Sequence, residues 1–212
     1  AVLDHLEVDR VVAVGHSTGG AYALAVAALA PDRVLGVVPC AAVTDMADAA
    51  CRATLSRPHA LDVWDAPDRP AAMAAAAASH GTDGSGLRAI VGVLPPSDLA
   101  KFTDPERLAE MTTELAEGFT FGVVGYTDDR IADGGGWVDF DVSSIACPVF
   151  VLHGTADPIC DPCHARHTAE IVPGAELLLR EGQGHFSILD DVIPTIVDLL
   201  AGAGLSQSRP AP

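Results

Sequence analysis

The chain has 212 residues, 49% of them hydrophobic and 5% aromatic, which suits one sizeable core and one domain with an insertion better than two domains. A formal net charge of −17 argues against nucleic acid and anionic membrane as partners, since both would repel it. There is no run of about eighteen uncharged apolar residues, Ala1-Val2-Leu3-Asp4-His5 does not read as a signal peptide, and five cysteines do not make a disulfide framework, so the cytoplasm is the default location.

Residues 1–8 suit the end of a helix, with Val2, Leu3 and Leu6 on one apolar face. The β-branched run Val11-Val12-Ala13-Val14 predicts a strand that ends in Gly15-His16-Ser17-Thr18-Gly19-Gly20 and leads into a helix-forming stretch, residues 21–30. A G-x-S-x-G placed between strand and helix lifts a serine hydroxyl above a parallel sheet. Glycines at 15 and 19 permit the tight, strained turn this requires. The Thr18 amide then falls at the start of a helix, where unpaired N–H groups and the dipole favour a developing oxyanion. Ser17 is the candidate nucleophile. His16 adjoins it, but successive side chains on a sharp elbow point apart, which predicts His16 beneath the sheet rather than as the base.

Pro31-Asp32-Arg33 makes a turn, and Val34-Leu35-Gly36-Val37-Val38 reads as the next parallel strand, with the intervening helix as its crossover. Helical patterns follow at 44–55, 71–80 and 105–118, the last opening with Asp104 as N-cap and Pro105 at the first helical position. Ala74 to Ala78 is a plain helix former, and Met73 reads as core or pocket lining. Gly134-Gly135-Gly136 reads as a hinge rather than a phosphate cradle, because no strand precedes it and no Lys-Ser/Thr follows. Asp133, Asp139 and Asp141 are expected to be solvated.

Pro148-Val149-Phe150-Val151-Leu152 predicts a buried parallel strand, and His153-Gly154-Thr155-Ala156-Asp157 leaves its C-terminal end, where open α/β sheets gather their ligands. Residues 175–180 read as another short strand, followed by the glycine-rich turn Glu181-Gly182-Gln183-Gly184-His185-Phe186. A serine hydroxyl is a weak nucleophile and needs a base and a group to orient that base, expected downstream in the order acid, then histidine. Asp157 is the candidate acid, ahead of Asp161, which falls deeper in the next turn. His185 is the candidate base, alone among eight histidines in following the last strand within a glycine turn. His153, His164 and His167 with Cys160-Asp161-Pro162-Cys163 raise the question of a metal or redox site. Zinc needs a second convincing pair of ligands and no other C-x-x-C exists, so no metal is expected and the thiols read as incidental.

Taken in order, Gly15-His16-Ser17-Thr18-Gly19-Gly20, His153-Gly154-Thr155-Ala156-Asp157-Pro158 and Gly184-His185 resemble the α/β-hydrolase family over residues 1–44 and 146–200. The resemblance implies a partial α/β-hydrolase fold: a mostly parallel sheet with flanking helices, a core of residues 1–44 and 146–204 and a helical cap insertion at 45–145; residues 205–212, small and polar, read as a disordered tail. It implies Ser17 as nucleophile, His185 as general base, Asp157 as the acid and the Thr18 amide as one oxyanion donor. The implied substrate is a small ester, thioester, lactone or amide, with no metal or organic cofactor. Relatives of this kind include esterases, proline-type aminopeptidases and cofactor-free haloperoxidases, and serine at the elbow argues against a dehalogenase. Gly122 to Asp129 with Trp137 to Asp141 resembles a segment of some bacterial members that leads from cap to core.

One departure from the family stands out. Several strands normally precede the nucleophile, and a loop after one of them supplies a second oxyanion N–H; only sixteen residues precede Ser17 here. This predicts a C-terminal portion of a hydrolase, in which a strand that should be central becomes an edge open to self-association. Losing one oxyanion donor costs about 3–4 kcal/mol of transition-state stabilisation, so feeble activity is expected. The alternative is a non-catalytic fragment or interaction module that retains the motif.

Overall fold

The computed structural model describes residues 1–55 and 61–202. The predicted tail lies outside the described residues. Four strands pair side by side in the order β1 (Val11–His16), β2 (Val34–Cys40), β3 (Phe150–Gly154) and β4 (Glu176–Arg180), all parallel. Parallel neighbours need crossovers, and helices supply them. After the short α1 (Val2–His5), α2 (Gly19–Leu29) joins β1 to β2 and α9 (Cys163–Ile171) joins β3 to β4; α10 (Val192–Gly202) follows β4 and packs against β2 and β3. Residues 6–8, expected to extend the first helix, leave it at Leu6, and Glu7 takes a positive φ of 53°.

Each face of the sheet carries its own apolar layer. On one, Ala21, Leu24 and Ala27 of α2 and Ala165 of α9 pack with Val37, Val149 and Val151. On the other, Leu199 of α10 and Ile188 meet Val38, Cys40 and Leu152. The second contact is close because β2 has glycine at position 36: a Cβ there would stand 2.4 Å from Leu199 Cδ2. Burying a side chain such as Leu199 stabilises the fold by about 1.5–3 kcal/mol.

Between β2 and β3 the chain is helical: α3 (Ala49–Arg52), α4 (Leu61–Trp64), α5 (Arg69–His80), α6 (Pro96–Leu99), α7 (Pro105–Gly118) and α8 (Val124–Gly134). Asp48, Asp68 and Asp104 cap α3, α5 and α7 by accepting amides of Cys51, Ala71 and Glu106, and proline sits in the first turn of α5 and α7. Val63, Ala72, Ala76, Phe119 and Val123 give this segment a small core of its own. The helix expected over 44–55 is confined to Ala49–Arg52, because the residues before it are pinned in a turn. Thr44 bonds His164 and His167, and Asp45 Oδ1 accepts the amides of Ala47 and Trp137.

Two further expectations are corrected here. Asp133 is buried rather than solvated: Trp64 Nε1–H and Arg130 both donate to its carboxylate, and burial pushes its carboxyl up to about 6. The glycine triplet is a packed corner, not a hinge. A Cβ on Gly134 would stand 2.3 Å from the Trp64 ring, and Gly136, at φ 88°, would meet Asp45 Oδ1 at 2.4 Å. Asp139 and Asp141 are exposed as expected.

The register aligns the strand ends that matter. His16 pairs with Cys40, Cys40 with Leu152, and Gly154 with Arg180, so the turns at 17–18, 155–160 and 181–187 leave the same end of the sheet. Among the described residues β1 pairs only with β2, and Val14 on it is 43% exposed. No helix among the described residues is long and apolar enough to cross a membrane.

Candidate active site

Ser17 follows β1 directly and adopts φ 56°, a conformation shared among described non-glycine residues only with Glu7 and Ala41. Such a left-handed serine is strained by about 1–3 kcal/mol and persists only where neighbours enforce it. Ser17 N–H donates to the Cys40 carbonyl at 2.9 Å, and the amides of Gly20 and Ala21 return to the carbonyls of Ser17 and Thr18. The glycines that permit this turn are Gly15 and Gly20. A Cβ on Gly15 would stand 1.9 Å from the Gly19 carbonyl oxygen, and one on Gly20 would stand 2.3 Å from Ala42 Cβ. Gly19 faces open space, so the expectation that it is one of the two required glycines is corrected. Thr18 occupies the N-cap position of α2.

Asp157 and His185 meet at the same sheet end. His185 Nδ1–H donates to Asp157 Oδ2 at 2.8 Å, with both side chains buried. Asp157 Oδ1 accepts the amides of Ile159 and Cys160, each at 2.9 Å. Burial opposes ionisation of Asp157, but the His185 hydrogen bond and charge with the Cys160 amide outweigh it and hold the carboxyl below its ordinary range. Since Nδ1 donates to the carboxylate, Nε2 is the His185 nitrogen left to accept a proton. Asp161, the competing acid, accepts the Cys163 amide at 2.8 Å.

The loop carrying His185 fits closely against β3. Ala156 N–H donates to the Gln183 carbonyl at 2.9 Å, and a Cβ on Gly154 would stand 2.2 Å from that same oxygen. His16 also belongs to this region, not beneath the sheet. Level with Cys40 at the strand's end, it reaches the loop: its Nε2–H donates to the His185 carbonyl at 2.8 Å, and the two rings lie 4.6 Å apart. Burial, with His185 beside it, brings its pKa down to about 4, so the ring is neutral at pH 7. Among the described residues no hydrogen bond joins the Ser17 hydroxyl to the His185 ring; His16, next to Ser17 in the chain, contacts the His185 turn.

A cavity of about 220 Å³ opens here, lined on its apolar side by Phe102, Met111, Phe186 and Leu189, with His16 also in its wall. Its charged border consists of Lys101 paired with Asp190, Arg107 paired with Glu110 at 3.0 Å, and Glu114. One residue of this region carries no mark in the sequence. Asp98, on α6, has no exposed surface and accepts the amides of Phe186 and Ser187, 88 and 89 positions away.

The histidine and cysteine cluster has a structural account. His164 Nδ1 accepts the Thr44 amide at 3.2 Å, so its Nε2–H faces Thr54 Oγ1, also at 3.2 Å. His167 Nδ1 lies 2.9 Å from Thr44 Oγ1, so the i, i+3 pair grips one threonine. Cys160 donates its thiol to the Ala42 carbonyl, while Cys163 faces Thr54 and Cys51. Among the described residues no group of three or more His, Cys, Asp or Glu side chains converges as a metal site would require.

Residues 1–192 match the alpha/beta hydrolase fold family. Uncharacterized proteins of Mycobacterium tuberculosis and Mycobacterium bovis are 28% identical over 204 residues, an overlap of 90% of this chain and 54% of theirs. The chain thus spans about half the length of the curated relatives it matches. Among solved structures, the enol-lactonase from Burkholderia xenovorans LB400 superposes with a TM-score of 0.64 at 22% identity, over 94% of this chain and 69% of that one. A thermophilic esterase from Thermogutta terrifontis gives 0.60 at 19%, over 95% and 69%. Likeness at such identity speaks to fold, and with the family match over most of its length the chain belongs to the α/β-hydrolase fold family.

Proposed function

We propose that this chain carries the catalytic triad of a serine hydrolase acting on a small ester, thioester, lactone or amide. The observation that supports it most is the buried His185–Asp157 pair at the sheet end where Ser17 is held at positive φ. Ser17 Oγ attacks the carbonyl carbon while His185 Nε2 takes the hydroxyl proton, and Asp157 stabilises the imidazolium across Nδ1. The oxyanion of the tetrahedral intermediate is met by the Thr18 amide at the N-terminus of α2. His185 returns its proton to the leaving group, and a water activated by the same ring then hydrolyses the acyl-enzyme. Residues 45–145 act as the cap, and Phe102 and Met111 are its apolar contribution to the cavity wall. Solved relatives named as an enol-lactonase and an esterase agree with this substrate class. Free thiols throughout the chain suit a reducing compartment such as the cytoplasm.

The open edge of β1 qualifies the reading. We propose that in the working protein this edge is covered, by upstream strands of a longer hydrolase or by a second copy, and that the second oxyanion donor comes with the cover. A non-catalytic fragment is the competing reading, favoured by the absence, among the described residues, of a hydrogen bond between Ser17 and His185. A fluorophosphonate probe separates the two. Labelling of the wild type, lost in Ser17→Ala and His185→Ala, supports the enzyme; no labelling at high probe concentration supports the fragment.

A further inference from the structure

The two peptide amides that follow His185 are both held by one carboxylate oxygen from outside the sheet. Asp98 Oδ1 accepts the Phe186 amide at 3.1 Å, the Ser187 amide at 2.7 Å and the Ser187 hydroxyl at 2.7 Å. Ser187 Oγ in turn accepts the Gly184 amide at 2.8 Å. Position 184 lies flat against the same segment: a Cβ there would stand 2.5 Å from Asp98 Oδ2 and 2.5 Å from Pro95 Cγ. On the opposite side, Gly154 leaves no room between β3 and the carbonyls of Gln183 and Gly184. The loop is therefore seated between the end of β3 and Asp98.

The chemistry of this contact is demanding. Asp98 has no exposed surface, so its bonds act at low dielectric, and removing the carboxylate leaves the buried Ser187 amide and the part-buried Phe186 amide without their acceptor. The residues that follow reach the same loop. Lys101 pairs with Asp190, and the Phe102 ring meets Phe186 edge-on at 5.3 Å. Lys101 and Phe102 also line the cavity.

We propose that Asp98 is a positioning residue. It fixes the 184–187 backbone so that the His185 ring meets Asp157 through Nδ1 and presents Nε2 at the elbow, and it couples that ring to the segment that walls the cavity. Its catalytic consequence rests on the serine-hydrolase reading above; its hold on the loop does not.

The test compares Asp98→Ala, Asp98→Asn and Ser187→Ala with the wild type and Ser17→Ala, in p-nitrophenyl butyrate hydrolysis and in amide hydrogen exchange. Asp98→Ala is expected to lower kcat by about 10²-fold, the cost of a small misplacement of a reacting group. KM changes far less, and Asp98→Asn, which keeps an acceptor at Oδ1, recovers most of kcat. In exchange, the Phe186 and Ser187 amides open in Asp98→Ala and stay protected in Asp98→Asn, with β3 protected in both. Undiminished kcat in Asp98→Ala, with Ser17→Ala inactive, overturns the positioning role and leaves the hydrolase reading standing. Hydrolysis that is absent from the wild type or survives Ser17→Ala overturns the hydrolase reading instead. Exchange then decides alone, and unchanged protection of Phe186 and Ser187 overturns the role of Asp98. If Asp98→Ala does not fold, Ser187→Ala takes its place: it removes the hydroxyl that links Asp98 to the Gly184 amide, so that amide is expected to open and kcat to fall, and unchanged Gly184 protection with undiminished kcat overturns the seating of the loop by Asp98.

Discussion

His185 gives its Nδ1–H to one oxygen of Asp157 while the other oxygen takes the Ile159 and Cys160 amides, so the carboxylate is oriented by its own loop before it orients the histidine. Asp157→Asn puts an amide where the acceptor stood and favours the wrong imidazole tautomer. The expected loss is about 10⁴-fold in kcat with the fold retained, as for the same change in other triads. Steady-state kinetics with a chromogenic ester, beside a thermal melt, checks it; a loss below about tenfold would remove Asp157 from the proposed triad.

The elbow makes a prediction that separates three glycines. Gly15→Ala and Gly20→Ala force a methyl against the Gly19 carbonyl and Ala42, and each should cost about 1–3 kcal/mol or more. Gly19→Ala meets nothing, and in the first turn of α2 it should be neutral or stabilising by up to about 1 kcal/mol. Urea unfolding of the three variants orders them. Equal destabilisation at Gly19 would contradict this packing.

Acid dependence follows from two buried groups of opposite sign. His164 is neutral, and burial lowers its pKa to about 4. As pH falls from the unfolded value near 6.5 to the folded one, the unfolded chain takes the proton first, so stability declines across that window by up to about 3 kcal/mol. Asp133, raised to about 6, works the other way: its penalty is present at pH 7 and is relieved as pH falls from 6 towards 3.8. Asp133→Asn removes the relief while its Oδ1 can still accept from Trp64. Urea midpoints at pH 7, 5.5 and 4.5 should therefore fall more steeply in Asp133→Asn than in the wild type. A parallel or shallower fall would show that Asp133 is not titrating as a buried acid.

What the sequence made legible is what local chemistry dictates. Strand, elbow and helix around Ser17 are written in a β-branched run, glycines and an alanine-rich stretch, and the turns that carry Asp157 and His185 follow their strands in the same way. What it left dark depends on partners far along the chain. Asp98 resembles any polar residue after two prolines until Phe186 and Ser187 arrive from 88 and 89 positions away. Asp133 looks like one more surface carboxylate until Trp64 and Arg130 enclose it. Gly20 outranks Gly19 only because Ala42, from the loop after β2, occupies the space a side chain would need.

The open edge of β1 carries the last prediction. A strand with a free ladder of N–H and C=O groups pairs with whatever strand it meets unless charge or curvature deters it. Here the deterrents are weak. Val14 on β1 is exposed, and so are the apolar side chains of Val26 and Leu29 on α2, the helix that packs against β1. The net charge of −17 opposes association at a distance, but it is screened beyond about 8 Å at physiological salt. The chain is therefore expected to self-associate at micromolar concentration, and more so as salt rises. Val14→Lys places a cation on the edge without touching the buried layers and should return it to the monomer. Sedimentation velocity at low and high salt decides: a wild type that stays monomeric at both would mean that the edge is closed by some device other than a partner strand.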